Sequence, residues 1–194
     1  MIARLLLLAL LAFAGGAAAD DELLRQLAPR MAHIQSLTGS FEQARHISVL
    51  AAPLLSSGEF SYRRGEGIQW RTTHPVENEI RITPGQGVAV VDGGGNARPL
   101  PASEAIAGIF LGLFAGDLDS LGEYFTLTGQ RQDSGWSLRL TPRHPQLAAH
   151  LDTILIDGDE HIERVEIREA NGDRSELRFQ VTASTAPSAN GDGE

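Results

Sequence analysis

Residues 162–181 read IERVEIREANGDRSELRFQV, and this stretch decides the fold class. Apolar and charged side chains alternate on both sides of Asn171-Gly172-Asp173, as they do in a strand with one covered and one solvated face. Asn, Gly and Asp are the residue types that tight turns between antiparallel strands use. The stretch therefore predicts a β-hairpin within an antiparallel sheet that is covered on a single side.

Similar segments, separated by turn residues, occupy most of the remaining chain. Strands are predicted at 41–47, 58–64, 68–72, 79–83, 88–92, 124–130, 136–141 and 152–156, in addition to 162–168 and 175–182. About ten strands in a chain of this length usually close or curl. The prediction is an α+β fold, a strongly curved antiparallel sheet with helices at only two places.

The first predicted helix covers residues 21–37, where apolar side chains recur at steps of three and four. Pro29 lies inside this pattern and is expected to kink or divide the helix, because it lacks a donor and clashes with the preceding turn.

The second predicted helix, at 103–115, is apolar on every side. Its main face consists of five side chains at helical spacing: Ile106, Ile109, Phe110, Leu113 and Phe114. A helix of this kind is normally enclosed on all sides, and this one is too short to cross a bilayer. Two interpretations follow, a plug within the core or a lid whose inner face partly meets an acyl ligand.

The two ends of the chain differ from the middle. Residues 1–19 combine one Arg, an apolar run and small residues up to Ala19, which predicts a cleaved signal peptide and export to the periplasm. The folded domain is expected at 20–183, and the small polar residues 184–194 are expected to form a disordered tail.

Composition excludes several classes of function. The 194 residues contain no Cys, and all 16 basic residues are Arg, which removes cysteine nucleophiles, thiolate metal sites and Schiff-base lysines. A net charge of −9 argues against nucleic-acid binding. Neither a zinc-ligand spacing, a Gly-x-Ser-x-Gly motif nor a phosphate loop is present, so no enzyme activity, cofactor or metal is expected.

The order of several short motifs resembles that of the periplasmic LolA-like outer-membrane lipoprotein carriers. These motifs are Phe41-x-Gln43-x-Arg45, Pro53-Leu54, Ser57-Gly58-x-Phe60-x-Tyr62-Arg63-Arg64, Ile68-x-Trp70 and His74-Pro75. The resemblance implies an open, unclosed β-barrel with a helical lid and an apolar cavity for acyl chains. It also implies an acylated lipoprotein or lipid as cargo, an inner-membrane release complex as donor and an outer-membrane acceptor.

The resemblance also implies roles for individual residues. In the family an Arg six residues before the strand Trp latches the lid, which points to Arg64 and Trp70, with Arg63 as a rival latch. The candidate lipid-binding cavity consists of Phe60, Tyr62, Ile68, Trp70, Ile80, Ile82, Val90 and Leu138, and the candidate lid of Ile106, Ile109, Phe110, Leu113 and Phe114. Each of these apolar residues has the alternative role of ordinary core. The turn Gly65-Glu66-Gly67 departs from the proline-containing turn of the family and indicates a divergent, specialised member.

The sequence thus predicts a monomeric, non-enzymatic periplasmic carrier that shields acyl chains between the two membranes. The first alternative is an exported module that senses a lipid or lipoprotein through the same barrel. The second alternative, favoured less than the carrier and the sensing module, is an acyl hydrolase.

Overall fold

A computed structural model describes residues 16–100 and 104–186. The strands are β1 (Ser36–His46), β2 (Leu54–Arg63), β3 (Gly67–His74), β4 (Asn78–Thr83), β5 (Gly87–Val91), β6 (Ala97–Pro99), β7 (Phe125–Arg131), β8 (Trp136–Pro142), β9 (Leu151–Gly158), β10 (Ile162–Glu169) and β11 (Arg174–Thr185). The helices are α1 (Gly16–Ala32), α2 (Glu104–Ala115), α3 (Leu118–Tyr124) and α4 (Pro145–Ala148).

All eleven strands form one antiparallel sheet in the order β6-β5-β4-β3-β2-β1-β11-β10-β9-β8-β7. It consists of two meanders that meet where β1 pairs with β11 along its whole length. The edge strands β6 and β7 do not pair with each other, so the sheet is open, and α2 and α3 lie in the chain segment that joins these edges. The α+β class and the unclosed antiparallel sheet are as predicted, with eleven strands where about ten were expected.

One face of the sheet carries the core. On β1 the odd-numbered residues Leu37, Gly39 and Phe41 are buried, and on β2 the even-numbered Phe60 and Tyr62 occupy the same face. Phe125 and Leu140 bring the second meander into this core with no exposed surface. The alternation seen in the sequence therefore separates an apolar inner face, on which the helices pack, from a charged outer face.

The outer face is held by ion pairs between neighbouring strands. Arg164 contacts Asp157, Glu166 and Glu176 at 3.2, 2.6 and 3.3 Å, and Glu166 also accepts a hydrogen bond from Arg168. The pairs of Arg164 with Asp157 and Glu176 join β10 to β9 and to β11, whereas the contacts of Glu166 lie within β10.

The first helix differs from its prediction at both ends. It ends at Ala32, and Leu37, which was placed on its apolar face, belongs to β1. The cause is Gln35, whose N–H donates to the Thr185 carbonyl while its own carbonyl accepts from Arg64 N–H. The backbone at Gln35 is thus already part of the sheet. Pro29 lies in the last turn and neither divides nor ends the helix.

Three elements were not predicted: α3, α4 and the three-residue β6. β11 continues to Thr185, two residues beyond the expected end of the domain at 183. Helix α1 begins at Gly16, before the expected mature start at Asp20, while most of the expected signal peptide, Ser103 and residues 187–194 lie outside the described residues. Among the described helices none is long and apolar enough to span a membrane.

Candidate functional site beneath helix α2

Helix α2 packs on β4, β5 and α3 and covers the inner face of the first meander. Ala107, Leu113 and Phe114 are buried, whereas Gly108 is exposed and residues 109–111 are half-buried. The expectation that this apolar helix would be enclosed on every side is therefore wrong, because its outer side reaches the surface. Gly112 brings it close to α3, since a Cβ there would lie 3.1 Å from the Leu121 side chain.

The Arg64 side chain joins α2 to α1. Arg64 follows the last residue of β2, and its guanidinium donates to three backbone carbonyls: Nε to Ile34 O at 2.9 Å, Nη2 to Met31 O at 3.1 Å and Nη2 to Ala115 O at 3.0 Å. Met31 and Ala115 lie in the last turns of α1 and α2, where carbonyls lack intrahelical partners. One side chain on the sheet thus satisfies the ends of two helices.

Arg63, the other candidate latch, points elsewhere. Its guanidinium pairs with Glu66 at 2.8 Å across the β2–β3 turn, and its side chain is 68% exposed. Of these two neighbouring arginines, Arg64 is the one that contacts α2.

An aromatic cluster lies beneath α2: Phe41, Phe60, Tyr62, Trp70, Phe114 and Phe179. Phe114 is the member contributed by α2, and its ring centroid lies 5.7, 5.8 and 5.8 Å from those of Phe60, Tyr62 and Phe179. Phe41 stacks on Trp70 at 4.0 Å. Burial raises the pKa of the Tyr62 hydroxyl, so this polar group remains neutral within the cluster. Helix α2 is therefore anchored to the sheet by ring contacts as well as by Arg64.

The predicted cavity residues fall into two places. Seven lie on the inner face of β2 to β5, where Phe60, Tyr62, Ile68, Trp70 and Ile82 are buried and Ile80 and Val90 are half-buried. The eighth, Leu138, is also buried, but it lies on β8 and faces Gly129 and Leu23, beneath α1.

Four of the five predicted lid side chains are described. Leu113 and Phe114 are buried, and Ile109 and Phe110 are half-buried against the core. Ile106 lies within α2, but its side chain is outside the described residues.

The space beneath α2 is filled in this conformation. A cavity of about 10 Å³ remains between α1, α2 and the sheet, lined among others by Met31, Ile34, Phe114, Phe179 and Val181. This is room for about one water molecule. An acyl chain would enter only if α2 and the ring of Phe114 moved away.

Two members of the aromatic cluster were missing from the predicted cavity, Phe41 and Phe179. Both lie on strands with clear period-two alternation, at Cα positions that pair with each other. The alternation places both residues on the covered face of the sheet. Their distance from Trp70 cannot be inferred from it, because that distance depends on a strand order that joins distant parts of the chain.

In the part of the chain that the structure describes, no group of three or more His, Asp or Glu side chains could hold a metal ion. The side chains beneath α2 are apolar and aromatic, and among the described residues the Arg64 guanidinium hydrogen-bonds to backbone carbonyls. What these side chains offer another molecule is apolar surface.

Comparison with known proteins relates this fold to solved structures of low sequence identity. MucB is 18% identical with a TM-score of 0.51, over 90% of this chain and 62% of MucB, so the chain spans less than two thirds of that protein. A LolA superfamily protein from Nitrosomonas europaea is 12% identical over 84% of this chain and 91% of its own, with a TM-score of 0.47. LprF from Mycobacterium bovis is 13% identical over 91% of this chain and 99% of its own, with a TM-score of 0.42. No curated protein matches the chain. The family model of the outer membrane lipoprotein carrier protein LolA matches residues 32–191, from the end of α1 through the whole sheet, and the chain therefore belongs to the LolA family.

Proposed function

We propose that the protein is a periplasmic carrier that holds the acyl chains of a lipoprotein or lipid between the inner face of the sheet and helix α2. The observation that carries this proposal is the way α2 is held: an apolar helix covers an aromatic cluster and is tied at its end by one hydrogen bond from Arg64. A single hydrogen bond of this kind is suited to an element that opens and closes.

A carrier of this kind must keep the apolar surface of an acyl chain away from water. Each buried methylene contributes about 0.8 kcal/mol, so a chain of about 16 carbons needs shielding worth on the order of 12 kcal/mol. The buried Phe60, Trp70 and Leu113 offer apolar surface of this kind once α2 moves. With α2 closed, Phe114 occupies the space and keeps this surface away from water.

Arg64 is proposed as the latch. The hydrogen bond to Ala115 O is the one of its three that reaches α2 and breaks on opening, while those to Met31 O and Ile34 O stay with α1 and its end. The open form therefore loses one charge-assisted bond and the packing of Phe114, and gains the buried area of the cargo. Loss of the latch is expected to strengthen retention of cargo and to slow its transfer.

Family membership supports the remaining parts of the proposal. We infer export to the periplasm, receipt of cargo from an inner-membrane release complex and delivery to an outer-membrane acceptor. The apolar and aromatic composition of the site supports binding without catalysis.

The test is a binding and transfer experiment with the two tryptophans of the chain as reporters. In a Trp136→Phe background, the one remaining tryptophan is Trp70, a member of the aromatic cluster. A fatty acyl peptide brominated near the chain end is expected to quench Trp70, and addition of acceptor vesicles is expected to restore its fluorescence. The complementary Trp70→Phe variant, which keeps Trp136 on β8, controls for surface adsorption. Absence of Trp70 quenching at saturating ligand would refute the proposal.

A module that senses an acylated ligand would use the same core, and MucB shares the fold without fixing the function. Transfer separates the two roles. A carrier yields the brominated ligand to acceptor vesicles, whereas a sensor retains it. An acyl hydrolase would instead release free fatty acid from an ester ligand.

A further inference from the structure

The pairing of β10 with β11 stops halfway along β11. The last paired residues are Arg164 and Arg178, yet β11 continues for seven more residues to Thr185 and remains paired with β1 on its other side. The start of β10 remains paired with β9, with a register shift between Ile162 and Arg164. The sheet thus has a gap between these two central strands, separate from its open edges.

A groove of about 680 Å³ occupies this gap, formed by residues 159–164 on one side and 178–181 on the other. Its volume lies within the range of sites for small molecules. Four of its residues, His161, Ile162, Phe179 and Val181, also line the small cavity beneath Phe114. These four side chains lie between the groove and the small cavity, and one of them, Phe179, belongs to the aromatic cluster.

His161 adds a polar atom to this boundary. Its Nδ1 is the one buried side-chain nitrogen or oxygen without a hydrogen-bond partner in the part of the chain that the structure describes. Leaving such an atom unpaired destabilises a protein, so native structures rarely contain one. A neutral imidazole donates or accepts a hydrogen bond at Nδ1 according to its tautomer. An ester or amide group at the head of an acyl chain provides the missing partner.

The outer rim of the groove is acidic. Asp159, Glu160 and Glu163 make no ion pair among the described residues, whereas Arg164 and Arg178 both hydrogen-bond to Glu176 on the outer face. The rim therefore favours a head group without net negative charge.

We propose that the gap between β10 and β11 is a side entrance to the core, in which an acyl chain points inwards past Phe179 and Val181 and its ester or amide group binds His161 Nδ1. This inference rests on the proposed acyl-binding function. It adds a position for the head group of the cargo at the boundary between groove and core, here called the neck, which is formed by His161, Ile162, Phe179 and Val181. It also adds a preference for a zwitterionic over an anionic head group.

His161 variants test the neck. The probe is a lysophosphatidylcholine with one acyl ester, titrated against the full protein by Trp fluorescence. His161→Leu is expected to weaken binding about two- to tenfold, the equivalent of one hydrogen bond, and to raise the unfolding midpoint by about 2 to 6 °C because the unpaired atom is gone. His161→Asn, which keeps a polar atom near the Nδ1 position, is expected to recover part of the affinity. His150→Leu, an exposed histidine at the other end of β9, is the matched control.

A second pair of variants tests the path. Val181→Trp fills the neck and is expected to lower affinity at least tenfold, whereas Ala183→Trp, exposed on the same strand and outside the groove, is expected to leave it unchanged. Wild-type protein is expected to prefer lysophosphatidylcholine over lysophosphatidylglycerol of equal chain length by about two- to fivefold at low salt.

The outcomes separate the two proposals. If wild-type protein binds the probe and the His161 and Val181 variants bind it equally well, the side entrance is refuted while the carrier proposal stands. If Val181→Trp does not fold, the His161 series decides alone. If wild-type protein binds neither lysolipid nor the acyl peptide, the proposed function fails and the side entrance fails with it.

Discussion

Replacing Arg64 by Leu removes the hydrogen bond that ties α2 to the sheet, together with two hydrogen bonds to the end of α1. The guanidinium makes three bonds, and the one to Ala115 O, at 3.0 Å, joins it to α2. A hydrogen bond to a charged group contributes about 1.5–3 kcal/mol, and partial exposure of Arg64 favours the lower end of this range. A loss of about 1.5 kcal/mol increases the ratio of open to closed protein about tenfold.

Hydrogen exchange measured by mass spectrometry is the assay. The amides of α2 in Arg64→Leu are expected to exchange about ten times faster than in the wild type, while those of β1 and β11 report the stability of the whole sheet. Because cargo binds the open form, the apparent affinity for an acyl peptide is expected to rise by up to the same factor.

The neighbouring arginine provides the control. Arg63→Leu removes only an exposed ion pair with Glu66, which contributes less than about 1 kcal/mol, and is expected to leave exchange in α2 unchanged. The reasoning is refuted if α2 exchanges at the wild-type rate in Arg64→Leu, or if α2 and the central strands accelerate by one common factor.

Three further predictions concern the packing of α2 and the ion pairs of the outer face. Gly116→Ala is expected to lower the free energy of unfolding by about 2–5 kcal/mol in urea, because Gly116 has φ +68° and a Cβ there would overlap α1. Gly65→Ala is the control: Gly65 has φ +79° but open space around it, so the expected loss is only about 1–2 kcal/mol. Phe114→Ala removes the ring that anchors α2 and is expected to lower the free energy of unfolding by about 3–5 kcal/mol; a loss below 1 kcal/mol would contradict the described packing. A hydrogen bond from Arg178 holds the pKa of Glu176 below its ordinary value, so the ionised carboxylate stabilises the folded protein. This contribution to the free energy of unfolding is complete above about pH 4.5 and is lost as the pH falls through the folded-state pKa. Glu176→Gln is expected to reduce the acid dependence of urea unfolding measured between pH 3 and 7, and an unaltered pH profile would contradict this assignment.

The strands could be predicted from the sequence because their signal is local. Apolar and polar residues alternate from Arg164 to Arg168 and from Glu176 to Val181, and the hairpin appears where Asn171 and Gly172 predict it. Helix α3 could not be found in this way, because Leu118 and Leu121 are its two buried side chains and Gly122 interrupts the pattern. Strand β6 has three exposed residues and no periodicity at all.

The candidate site was predictable in composition and less so in geometry. The resemblance pointed to Arg64, which contacts α2, and to Trp70, which packs within the aromatic cluster. The contact of Phe179 with Trp70 depends on β11 pairing with β1 across about 140 residues of chain. The length of α1 was overestimated for a related reason. The periodicity at 31–37 fits a helix, and hydrogen bonds of Gln35 to Thr185 and Arg64 override it.

Arg64 also acts as a counterion shared by two helix dipoles. The C-terminal ends of α1 and α2 each carry about half a negative elementary charge, so together they match the single positive charge of the guanidinium. In the proposed open form, α2 leaves Arg64 while α1 keeps its hydrogen bond to it, and only about half a charge loses its partner. A carboxylate in the place of Ala115 O would leave a full charge behind in an apolar interior. Under the carrier proposal, this contact between Arg64 and α2 can therefore break beside an ionic membrane surface at a small electrostatic cost and form again without competition from a strong ion pair.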